Sequence, residues 1–221
     1  MGMNAGPDVV EDGLVSYYDP GNILSYSGSG TALNDLIGNH NGTLAGGPSF
    51  SSTTSGGTFT FDGSDDDITL GSLPQTQQYT FEFAFSPVSY TAEGNNYQRM
   101  LISSGYTNFI VLEENRLFRH RVPGVDGTGN LGNSVIHDID TFHIVTFSYD
   151  QSNSKNYQNG VLLETKSVGS GTVTSGTLSL FTSGAINQYS GKFGFFRAYD
   201  RALTDAEVLQ NFHELRGRFG L

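Results

Sequence analysis

The last thirty residues of this chain show a helical spacing of apolar side chains that almost nothing else in its 221 residues shows. Thr204 followed three residues later by Glu207 is a capping box, and Asp205 lies where the positive end of a helix dipole attracts an anion. Apolar residues then recur at close to helical spacing, at Ala206, Leu209, Phe212 and Leu215. The pattern predicts a short helix over 204–216 whose apolar face packs on the rest of the molecule.

The rest of the chain has the pattern of short β-strands joined by tight turns. Residues 79–85 place an aromatic side chain at every second position, which is typical of a strand with a buried face. Asn159-Gly160 is a hairpin signal, and the segment 58–70 also has the pattern of a hairpin. With 29 glycines and about a dozen such strands, the sequence predicts an all-β fold: a two-sheet antiparallel β-sandwich of the jelly-roll type with a short C-terminal α-helix.

Length, charge and composition limit the classes of function. A chain of 221 residues with 36% apolar residues can form one sizeable core, so we expect a single domain over 13–221, preceded by a flexible or docking arm over 1–12. The net charge of -11 argues against nucleic acid as a partner, because nucleic-acid binders concentrate Lys and Arg on their binding surface. The sequence has no cysteine and no apolar run of membrane-spanning length, so we expect neither disulfides nor membrane insertion.

The residue patterns of common catalytic and zinc sites are missing. Glycoside hydrolases need two facing carboxylates, and the strand at 79–85 offers Glu82 alone, which we interpret as a hydrogen-bonded carboxylate of the sandwich. The five histidines lack zinc-ligand spacing, and the basic group Arg116, Arg119, His120 and Arg121 is interpreted as a polar strand face. The sequence therefore predicts no catalytic residue, no metal site and no enzymatic activity.

Four aspartates crowd one turn: Asp62, Asp65, Asp66 and Asp67. Calcium takes several oxygen ligands from a short loop, but these residues lack the Asp-x-Asp-x-Asp-Gly spacing of a calcium loop. We interpret them as an Asp-Gly turn followed by a solvated strand start, so no cofactor is predicted, with calcium as the alternative. Asp200 joins this group only if its strand lies beside the turn.

Two loop regions have the composition of a sugar-binding site. Lectin sites combine an aromatic ring, on which a sugar stacks, with short polar side chains on loops. The candidate glycan-binding residues are Tyr90, Asn95, Asn96, Tyr97 and Tyr106 in the first region, and Asp126, Asn130 and Asn133 in the Gly- and Asp-rich loop predicted over 123–141.

Seven segments, in this order, resemble the laminin G-like branch of the concanavalin A-like jelly rolls: residues 13–19, 33–43, 61–66, 81–82, 142–150, 157–160 and 199–207. They span almost the whole chain, and the resemblance implies the two-sheet jelly roll already predicted. In relatives that bind calcium on the convex side, an aspartate in the last strand is a ligand. The corresponding position here is Gly194, so the resemblance also implies that this ligand is missing.

A narrower resemblance lies at the two ends, where residues 6–13 and 211–221 are similar to structural proteins of tailed phages of aquatic bacteria. It implies a non-enzymatic structural or decoration protein of a virus particle, whose partners are other virion proteins or further copies of itself, with host-surface glycans as ligands. Residues 1–12 do not resemble a secretory signal, so we expect assembly in the host cytoplasm and location in the virion. The alternatives are a free-standing carbohydrate-binding lectin domain and a polysaccharide hydrolase or lyase.

Overall fold

The computed structural model of this protein describes residues 8–38, 40–73, 76–90, 97–103, 109–114, 117–121, 130–134, 138–170, 176–181 and 188–221. These residues form sixteen β-strands, a 3₁₀ turn at Thr54–Gly56 and one α-helix, α1, at Asp205–Phe219. In chain order the strands are β1 (Leu14–Tyr18), β2 (Ala32–Leu33), β3 (Gly42–Ala45), β4 (Ser49–Ser51), β5 (Thr58–Asp62), β6 (Asp67–Leu73), β7 (Tyr79–Pro87), β8 (Tyr97–Ser103), β9 (Phe109–Glu113), β10 (Leu117–Arg121), β11 (Asn130–Ser134), β12 (His143–Tyr149), β13 (Asn153–Gln158), β14 (Val161–Ser167), β15 (Gly176–Leu180) and β16 (Ser190–Tyr199).

The strands pair into two eight-stranded sheets, and every pairing among the described residues is antiparallel. Sheet I has the order β14-β13-β12-β7-β16-β5-β4, with β1 as a further partner of β16. Sheet II has the order β11-β10-β9-β8-β15-β6-β3-β2. The predicted two-sheet antiparallel sandwich with a C-terminal helix is confirmed.

Aromatic side chains fill the space between the two sheets. On β7, Phe81, Phe83 and Phe85 belong to this core, and each is at most 5% exposed. They share one cluster with Ile68 and Leu180 of sheet II. Burial of each such side chain contributes about 1.5–3 kcal/mol, so the whole layer, rather than any single contact, holds the sheets together.

Helix α1 covers the outer face of sheet I. Phe212, Leu215 and Phe219 pack in one cluster with Ala84 of β7 and Phe195 of β16. All residues of β7 are therefore buried, on both faces of the strand. The aromatic repeat in the sequence predicted the face of β7 that points between the sheets. The opposite face of β7 is covered by helix α1.

Local hydrogen bonds fix both ends of α1. The Thr204 hydroxyl accepts the Glu207 N–H at 3.3 Å and the Glu207 carboxylate accepts the Thr204 N–H at 2.8 Å, so the predicted capping box is confirmed. Gly220 ends the helix in the left-handed conformation, with φ of 74°. The helix extends beyond the predicted limit of 216 because Phe219 still packs on sheet I. No helix in the described parts of the chain is long and apolar enough to cross a membrane.

The hairpin predictions have different outcomes. The Asn159-Gly160 turn joins β13 and β14 with φ of 51° and 75°, as predicted. Residues 58–70 are not a hairpin, because β5 belongs to sheet I and β6 to sheet II, so the turn between them joins the two sheets. Residues 130–134, predicted as part of a loop, form β11 and pair with β10.

Residues 8–12, the second part of the predicted N-terminal arm, lie against the C-terminal helix. The Val10 N–H donates to Asn211 Oδ1 at 2.9 Å, and the Val10 side chain is buried. The Gln210 side chain donates to the Asp8 carbonyl at 2.7 Å. This part of the arm is docked on the domain, while residues 1–7 lie outside the described residues.

Candidate functional site

Several connections between strands lie at one end of the sandwich. We call this the acidic end, after Asp62, Asp65 and Asp66 in its β5–β6 turn. Asp62, the last residue of β5, pairs with Ser190, the first residue of β16. Val88, just after β7, donates its N–H to the Ser190 carbonyl at 3.0 Å. The Gln98 side chain in β8 donates to the Ser89 carbonyl at 3.1 Å, so β8 also begins at this end.

Hydrogen bonds from backbone N–H groups to the aspartate carboxylates stabilise the tight turn at the acidic end. The Asp62 carboxylate accepts the Ser64 N–H at 2.7 Å, and the Asp66 carboxylate accepts the Asp62 N–H at 2.9 Å. Gly63 adopts a φ of 86°, a conformation that glycine takes at little cost. The predicted Asp-Gly turn is therefore confirmed. The predicted solvated strand start is wrong, because the side chains of Asp66 and Asp67 are buried, at 6% and 8% exposed.

Three of these carboxylates are close enough to share one cation. Oxygen atoms of Asp62, Asp65 and Asp66 lie within 4.8 Å of one another, and the first two side chains are exposed. Burial raises the pKa of the Asp66 carboxyl, and the negative charges of Asp62, Asp65 and Asp67 raise it further. Calcium takes roughly six to eight oxygen ligands, so these residues could supply part of its shell.

Asp200 does not join this turn. The turn pairs with the start of β16, whereas Asp200 follows the last residue of that strand, Tyr199. At about 3.3 Å per residue, the ends of a strand of this length lie about 30 Å apart. The sequence left this possibility open, and the strand pairing excludes it.

Of the predicted glycan-binding residues, Tyr90 is the one whose side chain is described. It is 9% exposed and belongs to the core between the sheets, which leaves little of its ring open for a sugar. Tyr97 begins β8, and Asn130 and Asn133 lie on β11, where the backbone alone is described. The remaining candidates lie outside the described residues: Asn95, Asn96, Tyr106 and Asp126. Glycan binding by all of these residues stays a prediction.

The flanking strands assign the candidates to two opposite ends of the sandwich. β8 runs from Tyr97 at the acidic end to Ser103 at the opposite end. Asn130 pairs with Arg121 at that opposite end. Tyr90 and Tyr97 therefore share the acidic end with the aspartate turn, and Asn130 does not. Sequence reasoning missed this juxtaposition because β16, far along the chain, pairs with both β5 and β7.

Glu82 lies in a closed network beneath α1. Its side chain is fully buried, and its carboxylate accepts hydrogen bonds from Thr146 at 3.2 Å and from Arg197 and Asn211 at 3.3 Å each. Arg197 also donates to Glu214 of α1 at 2.7 Å. Burial raises the pKa of Glu82, and the charge of Arg197 opposes that rise. The interpretation of Glu82 as a hydrogen-bonded carboxylate of the sandwich is confirmed.

Gly194 has a structural explanation that involves no metal. A Cβ atom at this position would lie 2.5 Å from the Phe219 ring and 3.1 Å from the Ala84 side chain. The Gly194 carbonyl also accepts a hydrogen bond from Arg218 at 3.3 Å. The close approach of α1 to β16 thus requires glycine here and leaves no room for an aspartate.

His120 does not lie on an exposed polar strand face, as its neighbours in the sequence had suggested. It is 1% exposed and lies between the sheets, with Nε2 2.8 Å from the Tyr79 hydroxyl and Nδ1 3.0 Å from the Ser154 hydroxyl. Burial lowers the pKa of the His120 imidazole to about 3. This histidine therefore joins sheet II to sheet I as a neutral side chain.

Comparison with known families identifies the fold. A laminin G-like family model, described as the concanavalin A-like lectin/glucanases superfamily, matches residues 62–209, which is about two thirds of the chain. The chain belongs to this superfamily. The match includes the aspartate turn, β7, the whole of β16 and the start of α1, and it ends before Phe212, Leu215 and Phe219 of the helix. No curated protein sequence matches the domain.

Solved structures similar to this concanavalin A-like domain come from several proteins. Domain 4 of AbnA, a GH43 extracellular arabinanase from Geobacillus stearothermophilus, in complex with arabinotriose, has a TM-score of 0.68 and 18% identity, with 92% of this chain and 100% of that chain covered. A Trypanosoma rangeli sialidase in complex with the inhibitor DANA has a TM-score of 0.70 and 13% identity over 96% of this chain, which spans 34% of the sialidase. The binding domain of Paraclostridial Mosquitocidal Protein 1 has a TM-score of 0.69 and 16% identity, with 90% and 52% covered.

The prediction of a non-enzymatic protein is wrong. It rested on the fold and on the missing pair of facing carboxylates. The sialidase and the arabinanase are glycoside hydrolases that contain this fold. A lone Glu82 therefore does not separate this domain from enzymes. At these identities the likeness shows the fold alone, and it does not show the resemblance to phage proteins.

Proposed function

We propose that this domain binds neutral oligosaccharides and that the acidic end holds the binding site. The observation that carries the proposal is the likeness to domain 4 of the arabinanase, which covers the whole of that domain and whose structure contains arabinotriose. The sandwich alone, without a further domain, corresponds to that sugar-bound unit.

The acidic end offers exposed hydrogen-bond acceptors on a rigid turn. Asp62 and Asp65 are exposed, and the turn that carries them is fixed by the hydrogen bonds of Asp62 and Asp66. Carboxylate oxygens accept hydrogen bonds from sugar hydroxyls, and a turn that is already ordered loses little conformational entropy on binding. Because the Tyr90 ring is buried, Tyr97 is the aromatic candidate for stacking at this end.

The charge of the domain favours neutral over acidic sugars. The net charge is -11, and among the described residues no lysine, arginine or histidine forms an ion pair with Asp62, Asp65 or Asp66. A sialylated or uronic-acid glycan would bring a further negative charge to these carboxylates, which costs binding energy unless a cation intervenes. We therefore propose neutral pentose or hexose oligosaccharides as the ligand class.

A glycan array that contains neutral and sialylated glycans, run with and without a calcium chelator, tests the proposal. We expect saturable binding to neutral glycans that is lost in the double variant Asp62→Asn with Asp65→Asn and weakened in Tyr97→Ala. Asp200→Asn removes an exposed carboxylate at the other end of β16 and is the matched control. Absence of binding to every neutral glycan, or equal binding by the double variant, would count against the proposed site. Loss of binding in the chelator arm alone assigns the aspartates to a cation that contacts the sugar.

The role of virion structural or decoration protein, with location in the particle, stays a prediction from the two chain ends. Part of the C-terminal end makes contacts within the domain. Arg218 donates to the carbonyls of Ser55 and Gly57 at 2.6 and 2.9 Å and pairs with Asp19 at 2.6 Å. A truncation that removes residues 1–7 keeps the contacts of Asp8 and Val10 with α1. If the arm docks the protein on a particle, we expect this truncation to fold and to lose incorporation; unchanged incorporation contradicts that role for the arm.

A further inference from the structure

Two aliphatic side chains are exposed at the acidic end. Val88, which follows β7, is 45% exposed, and Ile139, which precedes β12, is 48% exposed. The Asp140 N–H donates to the Pro87 carbonyl at 2.8 Å, so the two segments that carry these side chains lie side by side. We call Val88 and Ile139 the aliphatic pair. A ligand that covers them with carbon atoms gains free energy from the apolar surface that it removes from water.

The aliphatic pair lies in line with the aspartate turn. Strand β16 separates β7 from β5, and its first residue, Ser190, accepts the Val88 N–H on one side and pairs with Asp62 on the other. Because neighbouring strands lie about 4.8 Å apart, two strand spacings place the backbone of Val88 about 10 Å from that of Asp62. A short oligosaccharide is long enough to contact the exposed carboxylates and the aliphatic pair together.

The polar groups around the aliphatic pair favour a methyl group that is bound to a sugar carbon. The Val88 N–H and the Pro87 carbonyl already form hydrogen bonds with neighbouring segments of the domain. Asp138 and Asp140 place exposed carboxylates on either side of Ile139. An acetamido group here would bring its carbonyl oxygen towards these carboxylates, whereas a methyl group on a sugar carbon needs no hydrogen-bond partner.

We propose, on the basis of the glycan binding proposed above, that the acidic end prefers neutral oligosaccharides that carry a 6-deoxyhexose over those that carry the parent hexose. The hydroxyls of one sugar donate to Asp62 and Asp65, and the C6 methyl group of the next sugar covers Val88 and Ile139. The parent hexose has a hydroxyl on the same carbon, and this hydroxyl loses hydrogen bonds to water when it is buried against aliphatic side chains. The aliphatic pair therefore determines specificity within the site.

Pairs of ligands that differ only at C6 test the preference. Isothermal titration calorimetry of the full chain compares a disaccharide that ends in L-fucose with the same disaccharide ending in L-galactose, and an L-rhamnose ligand with its L-mannose counterpart. We expect the dissociation constant of at least one 6-deoxy ligand to be about fivefold or more below that of its parent. An N-acetylhexosamine ligand should show no such gain over its parent hexose, and a gain in this pair alone would overturn the proposal.

Threonine variants assign the preference to the aliphatic pair. Val88→Thr keeps the shape of the side chain and replaces one methyl group by a hydroxyl, and Ile139→Thr makes a similar change on the neighbouring segment. We expect each variant to reduce the preference for the 6-deoxy ligand to about twofold or less while the parent hexose binds as before. Leu24→Thr changes an aliphatic side chain that is 72% exposed elsewhere and should keep the full preference. Thermal melts show whether each variant is folded.

The possible outcomes separate the preference from the binding site itself. Binding that requires Asp62 and Asp65 but does not distinguish the members of either 6-deoxy pair, or a preference that both threonine variants retain, overturns the preference and leaves glycan binding at the acidic end in place. No binding of any neutral ligand, or equal binding by the double variant Asp62→Asn with Asp65→Asn, overturns the proposed site and the preference together.

Discussion

The fold buries the carboxylate beneath helix α1 and exposes two carboxylates at the acidic end. Glu82 is fully buried, and donors from β12, β16 and α1 satisfy its oxygens. Asp62 and Asp65 are exposed, and their turn is held by backbone N–H groups rather than by cationic side chains. The first arrangement fixes the helix on the sheet, while the second leaves charge available at the surface.

The two kinds of carboxylate indicate which region of such a sandwich can bind a ligand. A buried carboxylate whose hydrogen-bond donors all come from the domain contributes to stability, and its oxygens are not available to a ligand. A carboxylate on a rigid turn with accessible oxygens contributes little to stability and keeps its capacity to bind. Substitution of single side chains in each region should therefore change stability in one region and ligand binding in the other.

Substitution of Arg197 should have the largest effect. Arg197→Met leaves the Glu82 carboxylate buried without its cation, so we expect a loss of about 3–5 kcal/mol in the free energy of unfolding. Denaturant unfolding followed by circular dichroism measures it. Arg216→Met removes an exposed arginine from the same helix and is the control, with an expected change within about 0.5 kcal/mol. Equal losses in the two variants contradict the account of the helix-covered face.

Acid should destabilise the domain through His120. Between pH 6.5 and about 3 the histidine of the unfolded chain binds a proton and the buried one does not, so stability falls as pH decreases through this window. Each unit of pKa difference corresponds to about 1.4 kcal/mol, which predicts a loss of a few kcal/mol for this fully buried group. Unfolding measured at a series of pH values should show a shallower slope in His120→Gln and an unchanged slope in His213→Gln, which alters an exposed histidine. A slope that His120→Gln does not change contradicts this assignment.

A single methyl group tests the close approach of α1 to β16. Gly194→Ala places its Cβ 2.5 Å from the Phe219 ring, so the helix end must shift, and we expect a loss of about 1–3 kcal/mol. Gly217→Ala adds the same methyl group inside α1 with no atom within 4 Å, and should stabilise the domain by up to about 1 kcal/mol. Thermal or denaturant unfolding of the pair gives the sign of each change. The same loss in both variants would show that packing against Phe219 is not the reason for Gly194.

The acidic end should show the smallest effect on stability. Asp62→Asn keeps the oxygen that accepts the Ser64 N–H, and Asp65→Asn removes one of the neighbouring negative charges. We expect the free energy of unfolding to change by no more than about 0.5 kcal/mol, with glycan binding reduced at least tenfold. Unfolding curves and binding isotherms of the same preparations test both parts. A large loss of stability would show that these carboxylates belong to the structural class of Glu82.

Local signals in the sequence predicted local structure. The capping box at Thr204 and the Asn159-Gly160 hairpin each depend on residues within a few positions of one another, and both are confirmed. The network beneath α1 could not be predicted in this way, because Glu82 and Arg197 are 115 residues apart. The sequence offered two separate signs of a buried pair, a charged residue within the apolar run of each strand, Glu82 in β7 and Arg197 in β16.

The candidate site shows the same limit. Composition identified the aspartate turn around Asp62 and the tyrosine region around Tyr90 separately. Their common position follows from strand order, since β16 lies between β5 and β7 in sheet I. The burial of the Tyr90 ring depends on which way its side chain points, and sequence spacing at a strand end does not determine that direction.

An NMR titration of the ¹⁵N-labelled chain with the neutral glycan that the array selects tests directly whether the acidic end binds sugar. We expect saturable amide shifts in residues 62–66 and in the neighbouring start of β16, with little change in α1 and around Asp200. Shifts confined to the opposite end of the sandwich, or no saturable shift with any neutral glycan, would contradict binding at the acidic end.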